Sequence, residues 1–438
     1  MTDMGFGALL FGVCVLLIGL RMPVAVAMFV VGGFGFAALA GWSAFLNLLN
    51  TAPFGRVSSY TLSVVPLFLL MGQLATRAGL SRLLFDAARA CFGHRRGGLA
   101  VSTIGGCAGF GAVCGSSLAT AATMASVALP EMRRHGYSGA LAAGTLAAGG
   151  TLGILFPPSI ILVIYAVITE QSIGKLFLAA LVPGVIATLG YVAAIAAYVR
   201  MHPGAGPAAL PLPVAERLRS VGKVWPVVAI FFAVIGGIYL GVFTPTEAAA
   251  IGAAAIGLVA LVSGRLGWSA FSGSLLDTGR TTAMIFLILI GAEVFNAFLA
   301  LTQIPTALAE GLATSGLAPI VILLGILLVY LVLGCVMDSL AMILLTVPVF
   351  FPLVTGLDFG YTEEEIAIWF GVMALIVVEI GLITPPIGLN VYAISAMDRN
   401  VRLGESFRGT LPFLLSGFVL LAIILAVPGV CLWLAELA

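Results

Sequence analysis

Two pairs of consecutive prolines lie inside apolar stretches, and both could present backbone oxygens to a ligand. Pro157 and Pro158 occur in GILFPPS, and Pro385 and Pro386 occur in GLITPPI. Because proline has no N–H, it cannot donate to the carbonyl four residues earlier in a helix. We therefore predict two broken helices in which four carbonyls lose their helical partners, those of Gly153, Ile154, Gly381 and Leu382.

Such carbonyls are costly in an apolar surrounding unless water, protein or a cation contacts them. Oxygen ligands of this kind suit hard cations such as Na⁺. Each half of the chain also has an apolar segment with a polar turn, CGSS at 114–117 and VMDS at 336–339. The helix ends at such a turn add partial charges. A simple proline kink is the alternative for one pair, but the same arrangement in both halves favours an ion site.

The composition is that of a protein with many membrane spans. The 438 residues are 61% hydrophobic and 8% charged, whereas soluble domains carry about 25% charged residues. The net charge of +1 gives no basic surface for nucleic acid. The 6 cysteines form no CxxC pair and are interpreted as reduced, structural thiols. The apolar N-terminus carries Asp3 and no basic region, so we interpret it as a retained span rather than a signal peptide.

Apolar segments of about 20 residues predict the membrane-spanning helices. Two segments, 97–131 and 319–357, are too long for one span and contain the polar turns, so we predict re-entrant hairpins there. The broken helices are predicted at 138–168 and 363–397. The complete set of predicted spans is 5–20, 23–40, 60–78, 138–168, 176–200, 223–241, 245–264, 281–302, 363–397 and 411–436.

The distribution of basic residues predicts the orientation, because cytoplasmic loops are enriched in Lys and Arg. With the cluster His94–Arg96 inside, all of the 19 Lys and Arg residues except Arg56 and Lys175 also fall inside. Both termini are then outside. The first hairpin has basic residues on both flanks and should open from the cytoplasm, whereas the second has none and should open from outside.

Recurring short segments indicate an internal duplication. GWSAF occurs at 41–45 and again at 267–271, and SLA occurs at 117–119 and again at 339–341, beginning with the last residue of each polar turn. Their shared order is typical of a repeat. Each half contains five predicted spans and one hairpin, so the second copy must be inverted. We predict an all-α membrane protein with inverted repeats at 1–222 and 223–438, a construction in which broken helices meet near the midplane and bind substrate and ions.

Longer segments carry a family resemblance. GGTLGILFPPSIILVIYAVITEQSIGKLFLAALVPG (149–184) resembles the signature region of the large membrane subunit of tripartite ATP-independent periplasmic (TRAP) transporters. GVFTPTEAAAIGA (241–253) and GLITPPIGLNVYA (381–393) resemble other recurrent segments of that subunit. The resemblance implies sodium-driven import of a small organic anion across the bacterial inner membrane by an elevator mechanism. It also implies two partners, a separate small four-span membrane subunit and a periplasmic binding protein.

The same resemblance implies a sodium site between the first hairpin tip and the first broken helix. The residues that it implies there are Cys114, Ser116, Gly153, Phe156 and Pro158, mostly through backbone oxygen. The repeat places a second sodium site at Val336, Asp338, Gly381, Thr384 and Pro386. Further candidates for contact with substrate or coupling ion are Ser117, Ser159, Ser339, Glu379 and Asn390.

Several acids have structural alternatives. Asp338 could bind an ion or merely cap the following helix. Glu379 and Glu293 lie within spans, where ionisable groups are usually functional but can be paired structurally. The segment Thr362–Glu365 favours a helix cap, with docking of the binding protein as the alternative. Each GWSAF segment is interpreted as the start of an interfacial amphipathic helix.

Enzymatic functions are not indicated. All 3 histidines lie in basic loops, and neither an HExxH zinc motif nor a phosphate-binding GxxxxGK[ST] motif occurs. Besides a TRAP subunit, a self-sufficient sodium–dicarboxylate symporter and, less favoured, an ion channel remain as alternatives. The substrate is not identified by the sequence, because no arginine lies at the predicted midplane.

Overall fold

The computed structural model describes residues 3–313, 316–398 and 401–437, and these residues form helices and loops without a β-strand. The helices of the first half are α1 (Asp3–Gly19), α2 (Val24–Ala40), α3 (Trp42–Val57), α4 (Val64–Arg77), α5 (Leu80–Phe92), α6 (Gly98–Cys114), α7 (Ser117–Arg134), α8 (Gly139–Leu155), α9 (Ile160–Thr169), α10 (Ile173–Met201) and α11 (Val214–Gly222). Those of the second half are α12 (Trp225–Tyr239), α13 (Pro245–Val262), α14 (Trp268–Thr302), α15 (Ile304–Ala313), α16 (Pro319–Gly334), α17 (Ser339–Thr355), α18 (Glu363–Gly381), α19 (Leu389–Met397), α20 (Leu403–Ala426) and α21 (Gly429–Ala435).

The breaks in the first hairpin and the first broken helix are confirmed. Helix α6 ends at Gly115, whose φ of 65° suits glycine. Ser116 begins α7 as its N-cap, and its Oγ accepts from the N–H of Ala119. Helices α8 and α9 are bent by 43°. Ser159 caps α9 in the same way as Ser116 caps α7.

The second half contains the corresponding breaks. Helices α16 and α17 are separated at the polar turn 335–338, where Asp338 is the N-cap of α17. Helices α18 and α19 are separated by residues 382–388, which include the second Pro-Pro pair. Thr362 and Glu365 form a capping box at the start of α18, so the structural interpretation of this acidic segment is confirmed.

The helices pack as two groups. Helices α1–α4 and α12–α14 pack mainly against one another, and we call them the frame group. The hairpins and broken helices, α6–α9 and α16–α19, pack together with α20, and we call them the core group. Glycines allow α8 and α20 of the core group to pack closely, because a Cβ on Gly144 of α8 would lie 2.2 Å from the carbonyl oxygen of Gly409 in α20.

Several predicted spans differ from the observed helices. The segment 79–96, in which no span or hairpin was predicted, contains the amphipathic helix α5, which buries Leu80 and Phe85 and exposes Arg82. The span predicted at 411–436 is two helices, because the chain breaks at Val427 and α21 begins after Pro428. Helix α15 was not predicted. Within the described residues, five single helices are long and apolar enough to span a membrane, or up to seven spans if each bent pair counts as one.

The two GWSAF segments have different structures. The first begins the separate helix α3, which is bent by 57° from the helical segment that follows. The second does not begin a separate interfacial helix, so that prediction is wrong. Trp268 instead begins the 35-residue helix α14, which continues into the predicted span at 281–302. A continuous helix forms because no proline interrupts α14, whereas Pro53 lies near the end of α3.

The predicted orientation can be tested by labelling. Single cysteines replacing Arg95 and Asp358, both exposed, should react with a membrane-impermeant maleimide from opposite sides of the membrane. We expect this result because the basic flanks of the first hairpin mark the cytoplasm. The 6 native cysteines should first be replaced by alanine or serine. Labelling of both positions from the same side of intact cells would contradict the inverted arrangement of the hairpins.

Candidate functional site

The first hairpin tip lies directly against the first break. A Cβ on Gly115 would lie 2.5 Å from the carbonyl oxygen of Pro158. A Cβ on Gly153 would lie 2.4 Å from Thr120 Oγ1 and 2.8 Å from the carbonyl oxygen of Ser116. The absence of side chains at these two glycines therefore allows the contact. It brings together Ser116, Gly153 and Pro158, three residues of the predicted first sodium site.

The other two residues of that predicted site face different neighbours. The carbonyl oxygen of Cys114 is near α4, because a Cβ on Gly72 would lie 3.2 Å from it. The ring of Phe156 lies against Gly184 of α10. The first hairpin tip thus packs against α4, and the first break packs against α10.

Thr120 was missed by the sequence analysis. Its Oγ1 is buried and, within the described residues, has no hydrogen-bond partner. It lies one helical turn after Ser116 on α7 and next to Gly153, so an oxygen faces the same contact as the Ser116 carbonyl. The spacing of four residues between Ser116 and Thr120 could have identified it, since residues i and i+4 share a helix face.

The second hairpin tip contacts the second break in a similar way. The N–H of Gly388 donates to the carbonyl oxygen of Cys335 at 3.3 Å. A Cβ on Gly381 would lie 2.7 Å from the carbonyl carbon of Gly334. The second site is more open than the first, because Val336 and Pro386 are exposed whereas Pro158 is buried.

The carbonyls at the second break lose their helical partners, as predicted, but N–H groups of other residues replace them. The Gly381 oxygen accepts from the N–H of Thr384 at 2.9 Å, and the Leu382 oxygen accepts from the N–H of Asn390 at 3.1 Å. The chain turns after Gly381, and this turn supplies N–H groups from residues outside the regular helical spacing. Each oxygen still has a second lone pair, so these bonds are compatible with a cation ligand. The hydroxyl of Thr384 donates to the Ile380 oxygen at 2.7 Å.

Asp338 has the structural role that was considered for it. Its Oδ1 accepts from the N–H groups of Leu340 at 2.9 Å and Ala341 at 3.4 Å. These two bonds are those of an N-cap. The residue also lines the cavity described below, so its carboxylate lies both at the N-terminus of α17 and beside this cavity.

Glu379 connects the two hairpins. Its carboxylate accepts hydrogen bonds from the hydroxyl of Ser117 at Oε2 and from the hydroxyl of Ser339 at Oε1, the latter at 2.9 Å. Ser117 is the first residue of α7, and Ser339 is the first residue of α17. Glu379 is 2% exposed and lies two residues before the end of α18. The structure thus brings three of the five additional candidates to one point.

The remaining candidates lie nearby but in other contacts. Ser159 is fully buried and caps α9. The side-chain amide of Asn390 donates to the Ala147 oxygen of α8 at 3.3 Å. Its Oδ1 is buried and, among the described residues, has no partner. Asn390 therefore links the second break to the helix that precedes the first break.

A cavity of about 290 Å³ lies between the hairpin tips and the frame group. Its polar lining comes from Ser116 and Ser117 of the first hairpin, from Asp338 and Ser339 of the second, and from Thr281 of α14. Its size is near the lower end for small-molecule sites. Of the residues that line it, Asp338 alone is charged. The cavity therefore offers hydroxyls and two helix N-termini, rather than a basic side chain, to an anion.

A larger cavity of about 620 Å³ lies around Glu170 and Lys175 at the start of α10. It contains no residue of either break or tip, so we assign the functional site to the smaller cavity, where the oxygens converge. Glu293 is also outside the smaller cavity and forms an ion pair with Arg56. The structural alternative for Glu293 is therefore favoured. No cluster of three or more His, Cys, Asp or Glu residues that could hold a metal occurs in the described residues.

The comparison with known structures shows the same fold in one solved structure. The crystal structure of the YdaH transporter of Alcanivorax borkumensis matches with a TM-score of 0.64, and the match covers 88% of this chain and 89% of that one. The sequence identity is 16%, so the likeness concerns the fold alone.

Sequence comparisons identify the family. Residues 11–430 match the family described as "Tripartite ATP-independent periplasmic transporter, DctM component". The C4-dicarboxylate TRAP transporter large permease protein DctM of Pseudomonas aeruginosa is 40% identical over 85% of this chain and 86% of its own. The sialic acid TRAP transporter large permease protein SiaM of Vibrio cholerae is 34% identical over 92% of this chain and 94% of its own. The chain therefore belongs to the family of TRAP transporter large permease subunits, which are multi-pass proteins of the bacterial inner membrane.

Proposed function

We propose that this chain is the subunit of a TRAP transporter that couples sodium entry to the import of a small organic anion, and that it is not an enzyme. One observation carries the proposal. Both hairpin tips, each in contact with a helix break, converge on one cavity lined by hydroxyl oxygens and by Asp338. Oxygen ligands suit sodium, and the N-termini of α7 and α17 suit the negative charge of a substrate.

The proposed substrate is a carboxylate. The two relatives described above are named for C4-dicarboxylates and for sialic acid, which are both carboxylates but differ in size. A cavity of about 290 Å³ can enclose a compact carboxylate group, with the remainder of the molecule directed toward the frame group. The binding protein is proposed to supply the rest of the selectivity.

The proposed motion is that of an elevator. The core group carries both hairpins and both breaks, while the frame group contributes the opposite wall of the cavity through Leu69 of α4 and Met284 of α14. The apolar side chains of that wall make no hydrogen bonds, and the hydroxyl of its Thr281 donates to the Asp277 oxygen of the same helix, so a sliding motion need break none of them. The proposed partners are a separate small four-span membrane subunit, which would enlarge the frame, and the periplasmic binding protein. This assignment follows the tripartite organisation of the family.

Sodium replacement tests the coupling. Both membrane subunits should be reconstituted in proteoliposomes, and the binding protein should be loaded with the carboxylate that most raises its melting temperature. We expect uptake to require an inward sodium gradient and no ATP, because the tips and breaks offer oxygen ligands and the sequence lacks a nucleotide motif. Full uptake with potassium replacing sodium on both sides would refute sodium coupling.

The same preparation separates the alternatives. Omission of the binding protein should abolish uptake, and undiminished uptake without it would favour a self-sufficient symporter. The rate should saturate with the loaded binding protein, as expected for a carrier. A rate that rises without limit and that needs no gradient would favour a channel.

A further inference from the structure

We propose that Glu379 mechanically couples the two hairpins, so that the two ion sites bind sodium cooperatively. We call its hydrogen bonds with Ser117 and Ser339 the Glu379 bridge. This inference rests on the proposed sodium-coupled function and adds a positioning residue to it. Glu379 acts through the two serines and through the tips that they begin, rather than as a sodium ligand.

The position of the bridge in the chain makes it a link between the halves. Ser117 belongs to the first hairpin, whereas Ser339 and Glu379 belong to the second half. The bridge thus joins residues separated by 262 positions in one bond and 40 in the other. Each serine is the last residue of the polar turn of its hairpin and the first residue of the helix that follows, so a shift of either tip displaces one of the two hydroxyls.

The surroundings of Glu379 make the bridge strong. The residue is 2% exposed, so water does not compete for its oxygens. None of the ion pairs formed by the described residues includes Glu379. Its carboxyl group instead lies at the first residues of α7 and α17, where the hydroxyls of Ser117 and Ser339 both donate to it.

The residues of the Glu379 bridge are also close in the chain to residues of both proposed ion sites. Glu379 is two residues before Gly381, which lies against Gly334 at the second tip. Ser117 is the neighbour of Ser116, whose carbonyl oxygen lies against Gly153 at the first break. A sodium ion that draws oxygens together at one tip therefore moves a serine of the bridge, and Glu379 transmits the change to the other tip. Since both serines line the cavity, substrate contact would act on the same bonds.

Hydrogen exchange measured by mass spectrometry tests the link without relying on transport. The complex of both membrane subunits is compared as wild type and with Ser117→Ala or Ser339→Ala. Each variant should raise exchange at its own tip by about tenfold, the effect of losing a buried hydrogen bond. It should also raise exchange at the tip of the other hairpin, because Glu379 is left with one unpaired buried oxygen and shifts. An effect confined to the substituted hairpin would overturn the proposal.

Three further variants serve as controls. Ser102→Ala in α6 and Thr346→Val in α17 remove buried hydroxyls that donate to a carbonyl of their own helix and lie away from Glu379 in their own hairpins, so neither should affect the opposite hairpin. Glu379→Gln should keep both tips protected, because its amide can accept from one serine and donate to the other. Loss of protection at both tips in Glu379→Gln, together with an unchanged opposite tip in the serine variants, would assign Glu379 a purely electrostatic role and refute the bridge.

Sodium titration then tests the consequence for coupling. In proteoliposomes, the sodium dependence of uptake should be sigmoidal for the wild type and for Glu379→Gln. It should become less sigmoidal, as expected for two independent sites, for Ser117→Ala and Ser339→Ala. Unchanged sigmoidal dependence in both serine variants would contradict cooperativity through the bridge. If wild-type uptake proved independent of sodium, the proposed function would fail, while the exchange experiment would still decide whether the hairpins are linked.

Discussion

The Gly153→Ala variant is expected to lose most sodium-dependent uptake. The added Cβ would lie 2.4 Å from Thr120 Oγ1 and 2.8 Å from the carbonyl oxygen of Ser116, distances that force α7 away from α8. Overpacking of a tight contact costs about 1–3 kcal/mol, which corresponds to roughly 5- to 140-fold weakening of sodium binding if it falls on the ion-bound state. We expect a raised sodium requirement and a reduced maximal rate in the reconstituted transporter.

A matched control separates this effect from helix propensity. Gly105→Ala makes the same change in α6 of the first hairpin, but its Cβ would be 3.7 Å from the nearest atom, a methyl group of Ala88. It should retain wild-type uptake and sodium dependence. If Gly153→Ala behaved like Gly105→Ala, the contact between the first tip and the first break would have no role in ion binding. The melting temperature of both variants should be recorded, so that a general loss of folding is recognised.

The breaks of the core group could be predicted from the sequence because local chemistry determines them. Consecutive prolines end a helix wherever they occur, and polar residues in an apolar segment mark a turn. Gly115 and Ser116 show this for the first hairpin, since a glycine with positive φ ends α6 and a serine caps α7. These features need no knowledge of the rest of the fold.

Helix ends outside the core group were less predictable. Helix α5 was not predicted, although Leu80 and Ala87 mark a buried face at a spacing of seven residues. The repeat predicted similar structures for the two GWSAF segments. Helix α14 continues from Trp268 into a span, whereas the chain bends after α3. The two copies of the duplicated segment therefore differ in how they connect to the next helix.

The contacts of the site depend on residues far apart in sequence and could not be derived from local patterns. The sequence marked Glu379 as an unusual acid in a span, but not its bonds with Ser117 and Ser339. Likewise, the carbonyl of Leu382 was predicted to lose its helical partner, but the sequence did not show that the N–H of Asn390 replaces it where the chain turns back at the break. Pairings of this kind arise from packing, and one sequence contains no direct signal for them.

The Asp338→Asn variant is expected to bind sodium much more weakly while keeping its stability. Asparagine is as good an N-cap as aspartate, so the bonds from Leu340 and Ala341 can persist and the melting temperature should change little. The variant lacks the one charged side chain that lines the cavity. Loss of a charge beside a cation site is expected to raise the sodium requirement by about tenfold, as removal of an interaction near 1.4 kcal/mol would.

Comparison with Asp338→Ala and with a distant acid completes the argument. Asp338→Ala removes both the charge and the cap, so it should show the same weakened sodium binding and, in addition, a lower melting temperature from a loss of about 0.5–2 kcal/mol. Asp358→Asn changes an exposed acid outside the cavity and should leave uptake unchanged. Should Asp338→Asn retain wild-type sodium dependence while Asp338→Ala loses only stability, Asp338 is a helix cap alone. The second sodium site must then depend on uncharged oxygens, such as the backbone carbonyls of Gly381 and Thr384 at the second break.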